Sequence, residues 1–316
     1  MPDTHIRPAR LDDTAAISQL FRTHIGTWQR LNARGQVEDV PYEALTIYER
    51  WLHGGAWMSV ETGAIHLSHL LRGAALPLVA EVDGQIAAYT ELYEGAEPAP
   101  YGMHLHLTPP MLHPDFTDHS LETALLKAAY ERAEQRRFER VLVNVALPEA
   151  HRFYESQGLE PLAVIRRYSL PARTGQGFYK TVEHLDPNPA QIRGWHMPIG
   201  HLGSARQQWE TFWPRTWDAL PEIRERRTHR LRFSASGQDA FVCCQQQLYM
   251  ERSADIYCWS PRPLTTQLLT AIRDWSHREG YRTLVLAVPE DTAKTLGTEA
   301  EADGYFETIY GHTVRR

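Results

Sequence analysis

The sequence predicts an α+β (α/β) chain built as two similar domains, and three observations carry that prediction. Segments with apolar residues at helical spacing alternate with short runs that are alternating or wholly apolar, the mark of strands interleaved with helices. PLTTQLLTAIRDWSHREGYRTLVLAV, residues 263–288, lies over SLETALLKAAYERAEQRRFERVLVNV, residues 120–145, without a gap. Between the two copies, PARTGQGFYKTVEHLDPNPAQ holds Pro171, Pro187, Pro189, Gly175 and Gly177 with weak periodicity, the composition of an interdomain connection. The expected division is residues 1–172, a linker over 173–191, and residues 192–316. A chain of 316 residues is long enough for each half to bury its own core.

The elements follow in order. HIRPAR alternates as a strand, and LDDTAAISQLFRTHI has helical spacing with Asp12 or Asp13 as its N-cap. A helical stretch is expected around Tyr42 to Leu52. PLVAEV and QIAAYTELY alternate on either side of Asp83-Gly84, a dipeptide favoured in tight hairpins. MHLHL is a further alternating strand. From Ser120, the set Leu121, Ala124, Leu125, Ala128, Ala129 and Ala133 marks one face of a long helix. VLVNV is nearly all apolar, as a buried strand requires; EAHRFYESQ is a short helix ending at Gly158, and LAVIRRYSL returns to the sheet. In the second half Leu264, Leu268, Leu269, Ala271 and Tyr281 stand where Leu121, Leu125, Leu126, Ala128 and Phe138 stand in the first. ASGQDAFVCCQQQLY answers VDGQIAAYTELY, and Gly304 answers Gly158, so duplication explains the order of helix, strand and hairpin.

Composition excludes several classes of function. A formal charge of −6 gives no field to attract a polyanion, so nucleic acid is not expected as a partner. RERRTHRLR gathers Arg224, Arg226, Arg227, Arg230 and Arg232, a run read as a solvated face. No window approaches the roughly 18 apolar residues of a membrane span, and MPDTHIRPARLDD is charged where a secretory signal would be apolar, so a cytoplasmic protein without membrane partners is expected. The three cysteines, Cys243, Cys244 and Cys258, have no CxxC spacing, which argues against a disulfide framework or a zinc ribbon. Cys243 and Cys244 on a hairpin strand should face opposite ways, as small core residues. Trp209, Trp213 and Trp217 recur every fourth residue, which stacks them on one helical face as far as Pro214 permits, as core or interdomain packing.

The order strand, helix, helix, three antiparallel strands, long helix, strand, short helix, strand resembles the GNAT acetyltransferase superfamily. ALLKAAYERAEQRRFERVLVNV resembles its cofactor-side helix and following strand, and AHRFYESQGL resembles its A-x-x-x-Y-x-x-x-G-F element, with Leu159 replacing Phe. The resemblance covers residues 4 to 170 nearly end to end and 192 to 316 more weakly, so the whole looks like a bacterial double-GNAT protein. It implies in each half a mixed, mostly antiparallel central sheet flanked by helices. It also implies an acyl-CoA-dependent N-acetyltransferase acting on a small-molecule or peptide amine, with acetyl-CoA as co-substrate and the active site in the N-terminal half. A homodimer stays open.

In that family a bend between two central strands admits the acyl carrier, and an R/Q-x-x-G-x-G/A loop opening the long helix binds its diphosphate. A helix N-terminus supplies unpaired N–H groups and about half a positive charge, and glycines let the phosphates come close. On this sequence the carrier contacts fall at Leu112, Thr117, Asp118, His119, Ser120, Leu121 and Glu122; Thr117 stands at the basic position, and Asp118, Ser120 and Glu122 at the glycine positions. WSPRPLTT in the second half offers Arg262 but no glycine. A carboxylate about 4 Å from a phosphate costs roughly 4 kcal/mol at an effective dielectric of 20. Asp and Glu in a first helical turn also stabilise it by about 0.3 to 1 kcal/mol each, so the loop argues for weakened or altered carrier binding. The rival reading is a non-catalytic ligand-binding or assembly module in which both phosphate loops have decayed.

Acetyl transfer to an amine needs a base for the ammonium proton and an acid for the departing thiolate. Tyr154 matches the family's tyrosine acid; its ordinary pKa of about 10 exceeds a thiol's of about 8.5, so proton transfer to thiolate is downhill. The base candidates are His104 and His106, which share one face of MHLHL, and Glu91 on the neighbouring strand. The His pair with His113 or Asp115 lacks a third ligand at a recognisable spacing, so no metal is expected. DTAKTLGTEAEADGY has Leu296 and Gly297 where Tyr154 would repeat, which places any activity in the first half.

Overall fold

The computed structural model describes residues 4–116, 119–175 and 177–314. In chain order it has β1 (Thr4–Pro8), α1 (Thr14–Arg22), the hairpin β2 (Gln29–Leu31) and β3 (Val37–Asp39), α2 (Ile47–Trp51), α3 (Val60–His69), β4 (Leu76–Val82) and β5 (Gln85–Glu97). Then come β6 (Gly102–Leu107), β7 (Met111–Leu112), α4 (Ser120–Arg136), β8 (Arg140–Val145), α5 (Pro148–Ser156), β9 (Glu160–Pro171) and β10 (Tyr179–Glu183). The remainder is β11 (His196–Ile199), α6 (Ala205–Phe212), α7 (Pro221–Glu225), β12 (Thr228–Ala235), β13 (Gln238–Gln247), β14 (Met250–Ser260), α8 (Thr266–Arg278), β15 (Thr283–Pro289), α9 (Glu290–Ala293) and β16 (Glu301–Thr313).

Contacts group the chain into two compact units: residues 1–93, 107–132 and 216–225 form the smaller, and residues 94–106, 133–215 and 226–316 the larger. In the smaller unit β1, β4 and β5 pair antiparallel in that order, and β7 pairs with β5 through Ala88↔Leu112 and Tyr89↔Met111. Asp83 and Gly84 take φ of 49° and 79° at the β4–β5 turn, the left-handed pair that matches strand twist in a tight hairpin. Its core joins Ile17 and Leu20 of α1 to Leu67 of α3, Val79 of β4, Tyr89 of β5 and Trp57.

The larger unit holds a mixed sheet in the order β6-β8-β16-β9-β15-β14-β13-β12-β10. The β14–β15 contact is parallel, while β9, β10, β12, β13 and β16 join it by antiparallel pairs. Leu268, Leu269, Ala271 and Ile272 of α8 pack on Phe233, Val242, Ile256 and Leu284 of the sheet. The opposite face carries Trp209, Trp213, Trp259, Phe241 and Cys243. Cys243 and Cys244 do face opposite ways, and both are buried because both faces are covered. Trp209 and Trp213 stack with centroids 4.3 Å apart, but α6 ends at Phe212 ahead of Pro214 and Trp217 packs in the smaller unit, 4.2 Å from Trp51. The arginine run is committed locally: Arg230 donates to the Phe212 carbonyl, Arg232 to Asp239, and Arg226 to the Gln246 carbonyl.

Three features of this sheet have no counterpart in the sequence reading. Inside the segment expected to connect the halves, β10 pairs with β12 (Thr181↔Phe233), as β1 pairs with β4. The final strands of the two halves are exchanged. β16 pairs with β8 of the first half (Asn144↔Ile309), β9 pairs with β15 of the second (Tyr168↔Leu286), and β9 and β16 pair with each other (Val164↔Thr308). Finally, β14 and β15 are paired only from Ser253↔Thr283 to Asp255↔Val285. Beyond that they part, and β11 lies in the gap: His196 pairs with Ser260, Ile199 with Cys258, and the Gly200 N–H donates to the Ala287 carbonyl at 2.6 Å.

Candidate functional site

In the larger unit, alternation along β6 turns His104 and His106 to the same side, and both are wholly buried. Burial of two imidazoles demands partners, and the chain supplies them from a distance. Glu97, at the end of β5, accepts from His201 Nε2 at 2.7 Å and from the Ala205 N–H at 2.9 Å, and its Oε1 stands 3.5 Å from His104 Nε2. Tyr101 stacks on His201 at 4.6 Å. His104 packs so closely on Gly95 that a Cβ there would lie 2.2 Å from Nε2, which is why β5 carries a glycine at that point. His106 Nε2 donates to Asn144 Oδ1 at 3.1 Å, and Asn144 Nδ2 donates to Glu307 Oε2 at 3.3 Å, which also accepts from the Tyr305 hydroxyl. Glu307 lies on β16, so the exchanged strand brings a carboxyl to β8.

These groups divide by charge. Burial alone would raise the Glu97 carboxyl, but the charge and hydrogen bond of His201, with His104 beyond, hold it at about 2. Burial would lower His201, and Glu97 outweighs that and raises it, so the two form an internal ion pair. Burial lowers His104, and burial together with the neighbouring His104 charge takes His106 down to about 3, so both stay neutral at neutral pH. Burial raises the Glu307 carboxyl against the hydrogen bonds from Asn144 and Tyr305. With its Nε2 hydrogen given to Asn144, neutral His106 carries a lone pair on Nδ1, which has no hydrogen-bond partner among the described residues.

Glu91 belongs to a separate cluster in the smaller unit. Its Oε1 accepts from His66 Nε2 at 2.9 Å and the Tyr89 hydroxyl at 3.0 Å, and its Oε2 from the Tyr93 hydroxyl at 2.6 Å. His66, on α3, is walled by Trp57 at 5.6 Å and Trp217 at 6.2 Å. Burial would raise the Glu91 carboxyl, and His66 with the two tyrosines lowers it, so the carboxylate stays ionised among aromatic rings.

Of the expected carrier contacts, Thr117 and Asp118 lie outside the described residues. Leu112 is on β7, its carbonyl accepting from His24 Nε2 at 2.7 Å. His119 takes φ of 59°, and its carbonyl accepts from the Thr123 N–H at 3.0 Å and the Thr123 hydroxyl at 2.9 Å, which fixes the first turn of α4. Leu121 is in the core and Ser120 is exposed. Glu122, expected to face a diphosphate, instead bonds His119 Nδ1, so this carboxylate is engaged within its own turn. The second half does not fit a carrier, because the main chain of β11 occupies the gap between β14 and β15. Tyr154, on α5, is 4% exposed and meets Phe153 edge to face at 5.0 Å.

The described contacts thus join His104 to Glu97 and His201, and His106 to Asn144 and Glu307, while Glu91 and Tyr154 each have other neighbours. Sequence reasoning missed Glu97, His201, His66, Asn144 and Glu307. Glu97 and His201 are 104 residues apart, and no spacing rule links such positions.

Residues 38–159 match the profile of the acetyltransferase (GNAT) family. Comparison with curated proteins gives no match. Among solved structures, a GCN5-related N-acetyltransferase from Anabaena variabilis ATCC 29413 is similar with a TM-score of 0.62 at 10% identity, over 99% of this chain and 73% of that one. One from Kribbella flavida gives 0.54 at 11% over 99% and 72%, and one from Sphaerobacter thermophilus 0.50 at 16% over 100% and 98%. No helix among the described residues is long and apolar enough to cross a membrane. Residues 38–159 thus carry the sequence pattern of the acetyltransferase (GNAT) family, and the chain shares its fold with GNAT acetyltransferases of solved structure.

Proposed function

We propose that the first half, residues 1–172, transfers an acetyl group from acetyl-CoA to a small-molecule or peptide amine, while the second, residues 192–316, supports it without a carrier of its own. The fold supports acyl-CoA-dependent N-acetyl transfer in general. The observation that supports the first half is β11: it lies in the gap in the second half, whereas the family pattern runs over 38–159. Acetyl-CoA would supply the activated acyl thioester, its diphosphate held by residues from Leu112 to Glu122 at the start of α4. Tyr154 would give its proton to the leaving thiolate. For the amine's proton the candidate acceptors are His104, His106 and Glu91.

Thermal-shift titration with acetyl-CoA tests the binding step: stabilisation at micromolar concentration is expected, through the usual linkage of ligand and folding. No shift up to millimolar concentration would favour the non-catalytic module, which the filled second half also supports. Given binding, Tyr154→Phe should lower the rate of free-thiol release across a panel of amines by about a hundredfold or more while leaving acetyl-CoA affinity unchanged. An unchanged rate would remove Tyr154 from the mechanism.

A further inference from the structure

The gap that β11 fills is not filled completely. A cavity of about 590 Å³ remains at its mouth, within the roughly 300–1,000 Å³ of small-molecule sites. Its walls are largely proline, with Leu162 and Met197, and its polar lining is Glu97, Tyr101, His196, Glu290, Asp291 and Thr292. No lysine or arginine is among these lining residues. Two of the three carboxylates are already balanced, Glu97 by His201 and Glu290 by Arg166 at 2.6 Å. Asp291 has no charged partner among the described residues; its Oδ1 accepts from the neutral hydroxyl of Thr292 at 3.2 Å. Tyr101 is the second, independent sign. It is 8% exposed and lines the cavity, and its hydroxyl has no hydrogen-bond partner among the described residues. An unpaired hydroxyl on the wall of a cavity is a polar group that a ligand in that cavity can engage.

We propose that this cavity binds a small organic cation, an alkyl- or arylammonium, with Asp291 as counter-ion, the Tyr101 hydroxyl as hydrogen-bond partner and the prolines against its apolar part. The sign of the lining excludes a diphosphate, so the space left between β14 and β15 takes a ligand of opposite charge to the acyl carrier. The negative charges of Glu97 and Asp291 both bear on Tyr101 and on His196, which sets the four groups around one space. Burial lowers His196, so that ring adds no competing positive charge at neutral pH. The proposal stands whether or not the first half transfers an acyl group.

Isothermal titration of the intact protein, without acyl donor, with phenethylammonium chloride and with 2-phenylethanol as its neutral counterpart tests it. The ammonium should bind at least about tenfold more tightly than the alcohol. Asp291→Asn should abolish that preference, and Tyr101→Phe, which keeps the ring on His201, should weaken the ammonium by several fold. Asp291 is exposed, so its variant should melt as the wild type does, and the comparison survives even if Tyr101→Phe disturbs the stack. Equal affinity for ammonium and alcohol, an Asp291→Asn variant that keeps the preference, or displacement of the ammonium by acetyl-CoA would each overturn the assignment.

Discussion

Replacing Glu97 by glutamine keeps the shape of the side chain and removes the charge that faces His201, so it isolates one internal ion pair. Folding lowers the Glu97 carboxyl from its ordinary 4.5 to about 2. At about 1.36 kcal/mol per pH unit, that shift corresponds to about 3 kcal/mol of stability. The figure agrees with the roughly 3–5 kcal/mol lost when one member of a buried pair is removed. The sign is fixed by linkage. A carboxyl lowered on folding contributes above 4.5 and loses its contribution as pH falls through about 2. His201, raised above its ordinary 6.5, contributes fully below that value and loses its share as pH rises through its folded pKa. The wild type should therefore exceed Glu97→Gln most between about pH 4.5 and 6.5, with the difference shrinking on either side. Urea midpoints of both proteins from about pH 3 to 9 measure this, and the double variant Glu97→Gln/His201→Gln should recover part of the loss, since both partners are then neutral. Equal midpoints near pH 6, or a difference that does not narrow with acid, would refute the ion pair.

Two further predictions concern packing and connectivity. Gly95→Ala places a Cβ 2.2 Å from His104 Nε2 and must push the ring away from Glu97; a loss of about 1–3 kcal/mol is expected by thermal melting, and an unchanged midpoint would show that the imidazole yields freely. Deleting residues 301–316 removes β16 and the buried Ile309 and Tyr310, so amides of β8, in the other half, should lose hydrogen-exchange protection; retained protection there would contradict the exchanged pairing.

Local features were legible because local chemistry sets them. The β4–β5 turn follows from Asp83-Gly84, α4 from the apolar stripe beginning at Leu121, and the end of α5 from Gly158, whose φ is 78°. The repeat was legible through matched core positions, Leu125 with Leu268 and Phe138 with Tyr281, all buried. What escaped depends on pairing between distant segments. The pattern of β16 is the same whether it lies on β8 or on β15, so nothing local records the exchange. β10 was hidden by the prolines and glycines around it, and β11, with Pro198 inside it, reads as a loop. At the site, the pairing of His104 and His106 on one face followed from a period of two, while Glu97, His201 and Glu307 had to be brought in by tertiary structure. Glu122 was placed at a glycine position of the carrier loop, and its bond to His119 was not foreseen because sequence spacing says nothing of which rotamer a neighbour will capture.

The exchanged strands also govern how a chain emerging from the ribosome can mature. When β8 leaves the exit tunnel one of its two neighbours, β16, is still unmade, and β9 must wait for β15, more than a hundred residues later. Until then the nascent sheet shows two open edges, the surfaces most prone to pair with another chain. Slow synthesis over the second half should therefore favour aggregation rather than relieve it, and a chaperone able to shield bare strand edges would raise the yield of protein more than any substitution within the first half.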